Sequence, residues 1–404
     1  MMQKKLLALA VAGAFAAPAI ALAQSSNVEV GGRMNLSFDR FSATGATAGA
    51  AADVQSRNRL ADSSSRLWFR GTEDLGNGLQ AIFHIESGVN GDASAGAVAA
   101  STGALGTRQT FVGLKGKTWG EVRLGRQEVY WTNGKLDSVY LGIVSNNMIN
   151  AMFAVQGISA VGATGNGVMG AAPARTDNVV TYITPNFSNF TGQVQYAVPI
   201  GESTVAGSGV KQSLVNLLLS YDNGPWYGQI GWVRNSDAAL PYDGSVATTA
   251  AGNKIEAWRG GLAYTFPTNT MLSLMYEKVE NHTGNGAGLA ANVTNPDRDR
   301  HNTVFNIIHT MGNTRLIGTY GISSDVSGAA AGGAQTGAKH WGLAAAYSFS
   351  KRTNVYAAYT KIDNDANANY NYIAFNGNPG TNFTPVAALG ADPTSFGVGL
   401  VHKF

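Results

Sequence analysis

The sequence alternates between apolar and polar residues along almost its whole length after residue 24. From 28 to 38 the even positions are apolar or glycine, whereas the odd positions include Glu29, Arg33 and Asn35. Segments of the same kind recur near 79–86, 193–196, 215–221 and 340–349. Successive side chains point to opposite faces of a strand, so each segment is predicted to form a strand with one apolar and one polar face. The pattern predicts an all-β protein.

Composition removes several other classes of protein. Charged residues are only 13% of the 404, glycine numbers 51 and cysteine is absent. The chain therefore has no disulfide framework and no thiolate metal site, and its hydrophobic content of 44% argues against disorder. A formal charge of +3 is too small and too evenly spread for a nucleic-acid-binding surface, so no nucleic-acid partner is expected.

The first 23 residues differ from everything after them. Lys4 and Lys5 precede an apolar run, and Ala21-Leu22-Ala23 follows it. This arrangement is typical of a cleaved secretory signal peptide, and the run is shorter than the ~20 residues that a spanning helix needs. We therefore expect residues 1–23 to be removed and residues 24–404 to form a single domain. No later apolar run reaches helical spanning length, so any membrane crossing must use strands.

The connections between the predicted strands alternate between short and long. Short, turn-rich links lie at 73–78, 117–120, 185–189, 222–225, 267–269, 312–313 and 350–353. Long excursions lie near 41–56, 90–105, 131–176, 200–210, 237–252, 281–299, 326–336 and 364–393. They separate about sixteen strands in up-and-down order. Short turns on one rim and long loops on the other are typical of an antiparallel transmembrane β-barrel.

A water-soluble barrel or sandwich is the main alternative fold, because alternation alone does not say which face points inward. A lumen enclosed by about sixteen strands is too wide for side chains to fill, which favours the apolar face outward around a water-filled channel. Aromatic residues beside the short turns agree with an interfacial girdle. They are Phe187, Phe190, Trp226, Tyr227, Phe266 and Phe349.

Two segments make the chain recognisable: Ser65 to Leu79, SRLWFRGTEDLGNGL, and the closing FGVGLVHKF, which ends on Phe404. With LGRQ at 124–127, YITPNF at 182–187 and YSFSKRT at 347–353, they resemble the trimeric general porins of Gram-negative bacteria, of the β-proteobacterial type. The resemblance covers essentially the whole mature chain.

This resemblance implies a 16-stranded outer-membrane channel that passes small hydrophilic solutes and ions without a cofactor. It implies a homotrimer that contacts through the N-terminal strands and the loop at 90–105, in contact with outer-membrane lipid and lipopolysaccharide. It also implies that the outer-membrane assembly machinery reads Phe404, and that the third long loop, approximately 131–176, folds into the barrel and constricts it.

In such porins basic side chains on the barrel wall face the constriction loop. The leading candidates here are Arg33, Arg66 and Arg123, because each lies opposite an apolar face and a charge facing lipid would cost up to ~2–4 kcal/mol. Further candidates whose register the sequence leaves open are Arg59, Arg70, Arg108 and Arg259. The acidic groups expected to oppose them are Glu128 and Asp137. We expect anion preference, offset where Glu29, Glu86, Glu121 and Glu277 also face inward.

Other chemistry finds little support. Gly116-Lys117-Thr118 lacks the first glycine of a phosphate-binding loop, and the six histidines show no metal-ligand spacing, so no metal site is expected. Acidic stretches at 295–300 and 363–365 fit solvated loops better than cation sites. Two alternatives stay open: a porin specific for one solute class, and a barrel that serves as scaffold for an enzyme or adhesin.

Overall fold

The computed structural model describes most of the predicted strands. The described residues are 26–62, 65–89, 91, 105–129, 136, 175–198, 213–237, 239–242, 245–249, 254–282, 298–327, 335–368, 370–371 and 388–404. The proposed signal peptide and almost all of the third long loop lie outside them. Within the described residues, no helix is long and apolar enough to cross a membrane.

The strands of the barrel are β1 (Ser26–Thr44), β2 (two segments, Val54–Asp62 and Arg66–Gly76), β3 (Leu79–Gly88), β4 (Thr110–Gly116), β5 (Gly120–Glu128), β6 (Arg175–Ile183), β7 (Phe190–Ala197), β8 (Ser213–Asn223), β9 (Trp226–Ser236), β10 (Lys254–Thr265), β11 (Thr270–His282), β12 (Arg298–Met311), β13 (Thr314–Ser323), β14 (Ala338–Ser348), β15 (Thr353–Asn364) and β16 (Asp392–Lys403). A separate hairpin pairs Ala239–Tyr242 with Ser245–Thr249, and a short 3₁₀ turn spans Ala50–Ala52.

The strands form one closed antiparallel barrel. Seventeen strand segments share a sheet, and both segments of β2 pair with β1, so the described wall has sixteen strands. Each strand pairs with the next along the chain, and β16 pairs with β1 from Arg33↔Lys403 to Thr44↔Asp392. Backbone hydrogen bonds join Gly32 and Phe404 at 2.9 and 3.1 Å, which extends this seam to the last residue. The predicted fold class and strand number are confirmed.

The two rims of the barrel differ as predicted. Every predicted short link joins neighbouring strands at one rim, here called the turn rim, where Phe404 also lies. The strand ends that flank the long excursions all lie at the opposite rim, here called the loop rim. Left-handed backbone at Asn77, between Gly76 and Gly78, shows how such a short link reverses the chain, since asparagine and glycine tolerate that conformation.

The outer face of the barrel is apolar and the inner face is mainly polar. On β1, Val28, Val30 and Phe38 are exposed on the outside, whereas Arg33 and Asn35 are buried on the inside. Most of the predicted girdle also lies outside: Phe187, Phe190, Trp226, Phe266 and Phe349 are exposed. The prediction was wrong for Tyr227, which is buried and shares the inner face with its cross-strand partner Ala263. Adjacent residues of a strand cannot face the same side, and Trp226 takes the outer one.

One part of the inner face is apolar instead. Along β6 to β12 the inward positions include a group of side chains that we call the apolar wall, each less than a tenth exposed: Val179, Leu214, Leu218, Val233, Ile255, Ala257, Met275, Val279 and Val304. Leu136, from the third long loop, belongs to the same buried cluster. The inner face thus combines a charged part on β1 to β6 with the apolar wall on β6 to β12.

Candidate functional site

The charged part of the inner face holds four arginines that come from separate places in the sequence. Arg33 of β1 and Arg66 of β2 are direct cross-strand partners. Arg108 lies just before β4, and Arg175 begins β6. We call these four, with the carboxylates Glu86 and Glu128, the arginine cluster.

Two carboxylates hold three of the four guanidinium groups, those of Arg66, Arg108 and Arg175, in place. Glu86 Oε1 accepts a hydrogen bond from Arg66 Nη1 at 3.2 Å and another from Arg108 Nε. Glu128 Oε1 accepts one from Arg175 Nη2 at 2.6 Å and lies 3.8 Å from Arg108 Nη2. Charge-assisted hydrogen bonds of this kind fix both distance and orientation, so the cluster is a preorganised array.

Irregularities in the strands bring these side chains together. β2 is interrupted between Asp62 and Arg66, where Asp62 Oδ1 accepts a hydrogen bond from the Ser65 N–H. The pairing of β5 with β6 shifts register between Gly125 and Gln127, and Gly125 has a φ of 141°. Bulges re-aim the side chains that follow, and Glu128 here contacts Arg108 and Arg175 on the same stretch of wall.

The remaining predicted arginines also face inward but lie outside the cluster. Each forms its own ion pair: Arg59 with Asp39 (2.6 Å), Arg70 with Glu29 (2.8 Å), Arg123 with Glu121, and Arg259 with Glu277. Glu29, Glu86, Glu121 and Glu277 therefore do face inward, as the sequence suggested. Arg70 and Arg123 lie closer to the turn rim than the cluster does, and Arg259 lies within the apolar wall.

Sequence reasoning named Arg33, Arg66, Arg108 and Glu128 but missed Arg175. It placed that residue in the third long loop, and the left-handed backbone at Asn178 breaks the alternation that would have signalled a strand. Glu128 was expected to oppose the arginines, but it lies beside them. Asp137, the other acid expected there, lies outside the described residues.

The charges of the cluster do not cancel. Among the described residues of the cluster, four guanidinium groups face two carboxylates, an excess of two positive charges. At its edge Lys403 is the cross-strand partner of Arg33, and Asp62 acts on Arg33 electrostatically, which adds one charge of each sign. The four ion pairs elsewhere on the described inner face are balanced one to one. Among these ion-paired groups the cluster therefore has the largest excess of positive charge.

No metal centre is formed by the described part of the chain, where no group of three histidine, aspartate or glutamate side chains is placed to hold an ion. Asp363, in one of the acidic stretches, pairs with Lys361 and accepts a hydrogen bond from the Trp341 indole N–H at 3.2 Å.

Comparison with known proteins agrees with this architecture. Residues 8–367 match the sequence model of the Gram-negative porins. An outer membrane porin protein of Bordetella pertussis is 27% identical over 370 residues, which covers 85% of this chain and 83% of that protein. Outer membrane porin protein 32 of Delftia acidovorans is 34% identical over 242 residues, 59% of this chain and 61% of that protein.

Solved structures show the same fold. An anion-selective porin from Comamonas acidovorans superposes with a TM-score of 0.70 at 23% identity, over 94% of this chain and all of that one. The trimer form of OmpT from Vibrio cholerae superposes with a TM-score of 0.58 at 15% identity, over 94% of this chain and 100% of that one. With its closed sixteen-stranded wall and its match to the family sequence model, this chain belongs to the Gram-negative porins of the bacterial outer membrane.

Proposed function

We propose that this porin is a passive general-diffusion channel for small hydrophilic solutes and ions, with a preference for anions. The excess of positive charge in the arginine cluster carries the proposal, because rings and patches of charge along a pore set the sign of the ions it favours. The similarity in fold to the anion-selective porin from Comamonas acidovorans supports the same sign.

In this mechanism the wall does only electrostatic work. An anion that enters the lumen meets guanidinium groups, three of which Glu86 and Glu128 already hold in position, so little rearrangement is needed as it passes. Because the two carboxylates neutralise half of the positive charge, attraction is moderate, and an ion that binds can also leave. No step that makes or breaks a bond is required.

The reversal potential of the purified, refolded protein in a planar bilayer under a KCl gradient tests this proposal. Stepwise conductance with a reversal potential that favours chloride supports it. Stepwise conductance that favours potassium keeps the channel and removes the anion preference. Membrane insertion without conductance contradicts the channel itself and favours a barrel that serves as a scaffold.

We further propose that the third long loop, 131–176, folds inward and narrows the channel. The apolar wall supports this: apolar side chains that face a water-filled lumen should be exposed, yet these are almost completely buried, and Leu136 of that loop is in their cluster. The rest of the loop carries further apolar side chains suited to cover such a wall: Leu141, Ile143, Met148, Ile149, Met152, Phe153 and Val155.

Removal of residues 140–170 tests the loop proposal. We expect a larger single-channel conductance and a weaker dependence on solute size, because the narrow zone is gone. Deletion of 201–209 from another long loop is the control, and it should leave conductance nearly unchanged. Equal conductance in both deletion variants and the intact protein would contradict the proposed constriction.

The partners of the barrel are also proposals. A homotrimer, joined through the outer faces of the N-terminal strands and the loop at 90–105, is supported by the trimer form of the Vibrio cholerae structure. The molecular mass of the purified protein in detergent, measured by light scattering, tests the trimer.

Contacts with lipopolysaccharide fit the apolar outer face, and recognition of Phe404 by the assembly machinery fits its place at the seam. Deletion of Phe404, compared with Phe404→Tyr, should lower the amount of folded porin in outer membranes.

A further inference from the structure

A second group of inward-facing side chains lies between the arginine cluster and the turn rim. It lines a cavity of about 390 Å³, here called the turn-side cavity, whose chemically distinctive residues are Arg70, His84, Phe111, Lys115, Glu121 and Arg123. Small-molecule sites typically occupy ~300–1,000 Å³, so the cavity has the size of a small-ligand site. Trp68 lies between Arg66 and Arg70 on the inner face of β2 and separates the cavity from the cluster along that strand.

Phe111 is the unusual member of this group, because it presents an aromatic ring to the lumen. Its ring stacks on the His84 imidazole, with 5.6 Å between the centroids and 20° between the planes. The Arg123 guanidinium carbon lies 4.6 Å from the centre of the Phe111 ring. Its cross-strand partner is Gly125, where an added Cβ would lie 3.2 Å from the Phe111 Cβ, so glycine there leaves room for the ring.

Positive charge surrounds this ring and is not fully balanced. Arg70 pairs with Glu29, and Arg123 pairs with Glu121. Lys115 is exposed to the cavity and makes no ion pair with another described residue, although Glu121 is its cross-strand neighbour. Three cations thus face two carboxylates around a planar apolar surface.

We propose that the turn-side cavity is a weak binding site for small aromatic carboxylates that pass through the channel. The carboxylate of the solute contacts Lys115 and Arg123, and its ring contacts Phe111. This site adjoins the arginine cluster, since His84 Nε2 lies 3.4 Å from Glu86 Oε2, but it adds an aromatic ring, whereas the cluster attracts any small anion by charge alone. The inference rests on the proposed channel function and adds a solute class to it.

Single-channel block tests this inference with benzoate and acetate as probes. Both carry one carboxylate, and only benzoate has a ring. An aromatic contact contributes ~0.5–1.5 kcal/mol, so we expect half-block by benzoate at a concentration about 2- to 12-fold below that for acetate. Phe111→Ala should bring the two concentrations together, and Lys115→Gln should raise both. Val112→Ala, next to Phe111 but facing outward, is the matched control and should change neither.

Other outcomes overturn the inference. Equal block by benzoate and acetate in the intact channel removes the aromatic site and leaves the channel function standing. Benzoate block that survives Phe111→Ala but disappears in Arg66→Gln/Arg108→Gln places the binding at the arginine cluster instead. Saturation-transfer NMR of benzoate on the refolded protein in micelles keeps the test independent of conductance: transfer that Phe111→Ala does not reduce contradicts the site, even if no channel current is seen.

Discussion

The arginine cluster and the apolar wall lie on the same inner face of one barrel, and their environments are opposite. The cluster combines six charged groups and keeps an excess of positive charge near the lumen. The apolar wall buries nearly all of its side chains and contains one ion pair, Arg259 with Glu277, which is 0% and 2% exposed. A position on the inner face therefore does not by itself determine whether a side chain is charged or apolar, or whether it is exposed or buried. A charged stretch of this face attracts ions, whereas an apolar stretch must be covered by another part of the protein to be shielded from water.

Removal of the buried cation gives the largest expected effect. Arg259→Leu leaves Glu277 charged and buried, and breaking a buried pair in this way costs about 3–5 kcal/mol of unfolding free energy. Arg70→Leu removes a similar pair that is half exposed, which costs about 1 kcal/mol or less. The loss of the β-sheet circular dichroism signal on heating measures the destabilisation in both variants. The double variant Arg259→Leu/Glu277→Leu should regain most of the loss, and equal effects of the two single variants would erase the contrast.

A smaller loss is expected when the apolar wall is thinned. Met275 is almost fully buried, so Met275→Ala should lower stability by about 2–4 kcal/mol through lost contacts and a cavity. Leu274→Ala, one residue away on the outer face, removes a side chain that is about half exposed and should cost less. The same melting experiment compares them. If Leu274→Ala were the more harmful change, the apolar wall would not be a packed interface.

Neutralising half of the cluster tests its electrostatic role. Arg66→Gln/Arg108→Gln removes two of four cations and leaves two against two carboxylates, so most of the anion preference should be lost. The chloride-to-potassium permeability ratio should fall several-fold, which corresponds to about 1 kcal/mol. The reversal potential measures this. Arg40→Gln alters a charge on the outer face of β1, where it bonds Ser56 at 2.6 Å, and it should leave the ratio unchanged.

Arg123 provides the smallest expected effect. It pairs with Glu121 nearer the turn rim and its side chain is 27% exposed, so Arg123→Ala should weaken the anion preference by less than about 2-fold because salt and water screen exposed charges. Arg123→Ala/Glu121→Ala removes both charges and should restore the original reversal potential. If Arg123→Ala shifted the reversal potential as much as Arg66→Gln/Arg108→Gln does, the residues that set selectivity would lie nearer the turn rim than the arginine cluster.

Sequence reasoning succeeded where strands are regular. Alternation placed Arg33 and Arg66 inside, because each lies opposite the apolar face of its own strand, and that face turns to the lipid. It failed where backbone geometry breaks the period. The register shift after Gly125 and the left-handed Asn178 hid Arg175 from the pattern and put Glu128 beside the arginines.

The alternation of apolar and polar residues also did not predict which inward side chains are buried. Leu214 and Leu218 interrupt the polar face of β8 that Asn216 represents, and alternation does not say whether such residues meet water or protein. Tyr227 was misplaced for a related reason, since two adjacent aromatic residues offer no local signal for which one faces lipid. Both the burial of Leu214 and Leu218 and the direction of Tyr227 depend on long-range packing, and apolar–polar alternation along one strand carries no information about that packing.

The seam between β1 and β16 has a kinetic consequence. Asp39 and Ser395 meet there although 356 residues separate them, and closing so long a loop in an unstructured chain costs about 5 kcal/mol of entropy. Strands added one after another shorten the remaining gap, so the ring is expected to shut last. Until Phe404 reaches Gly32, the growing sheet has two unpaired edges that can join other chains. A synthesis that stops early therefore yields an aggregation-prone sheet instead of a smaller pore.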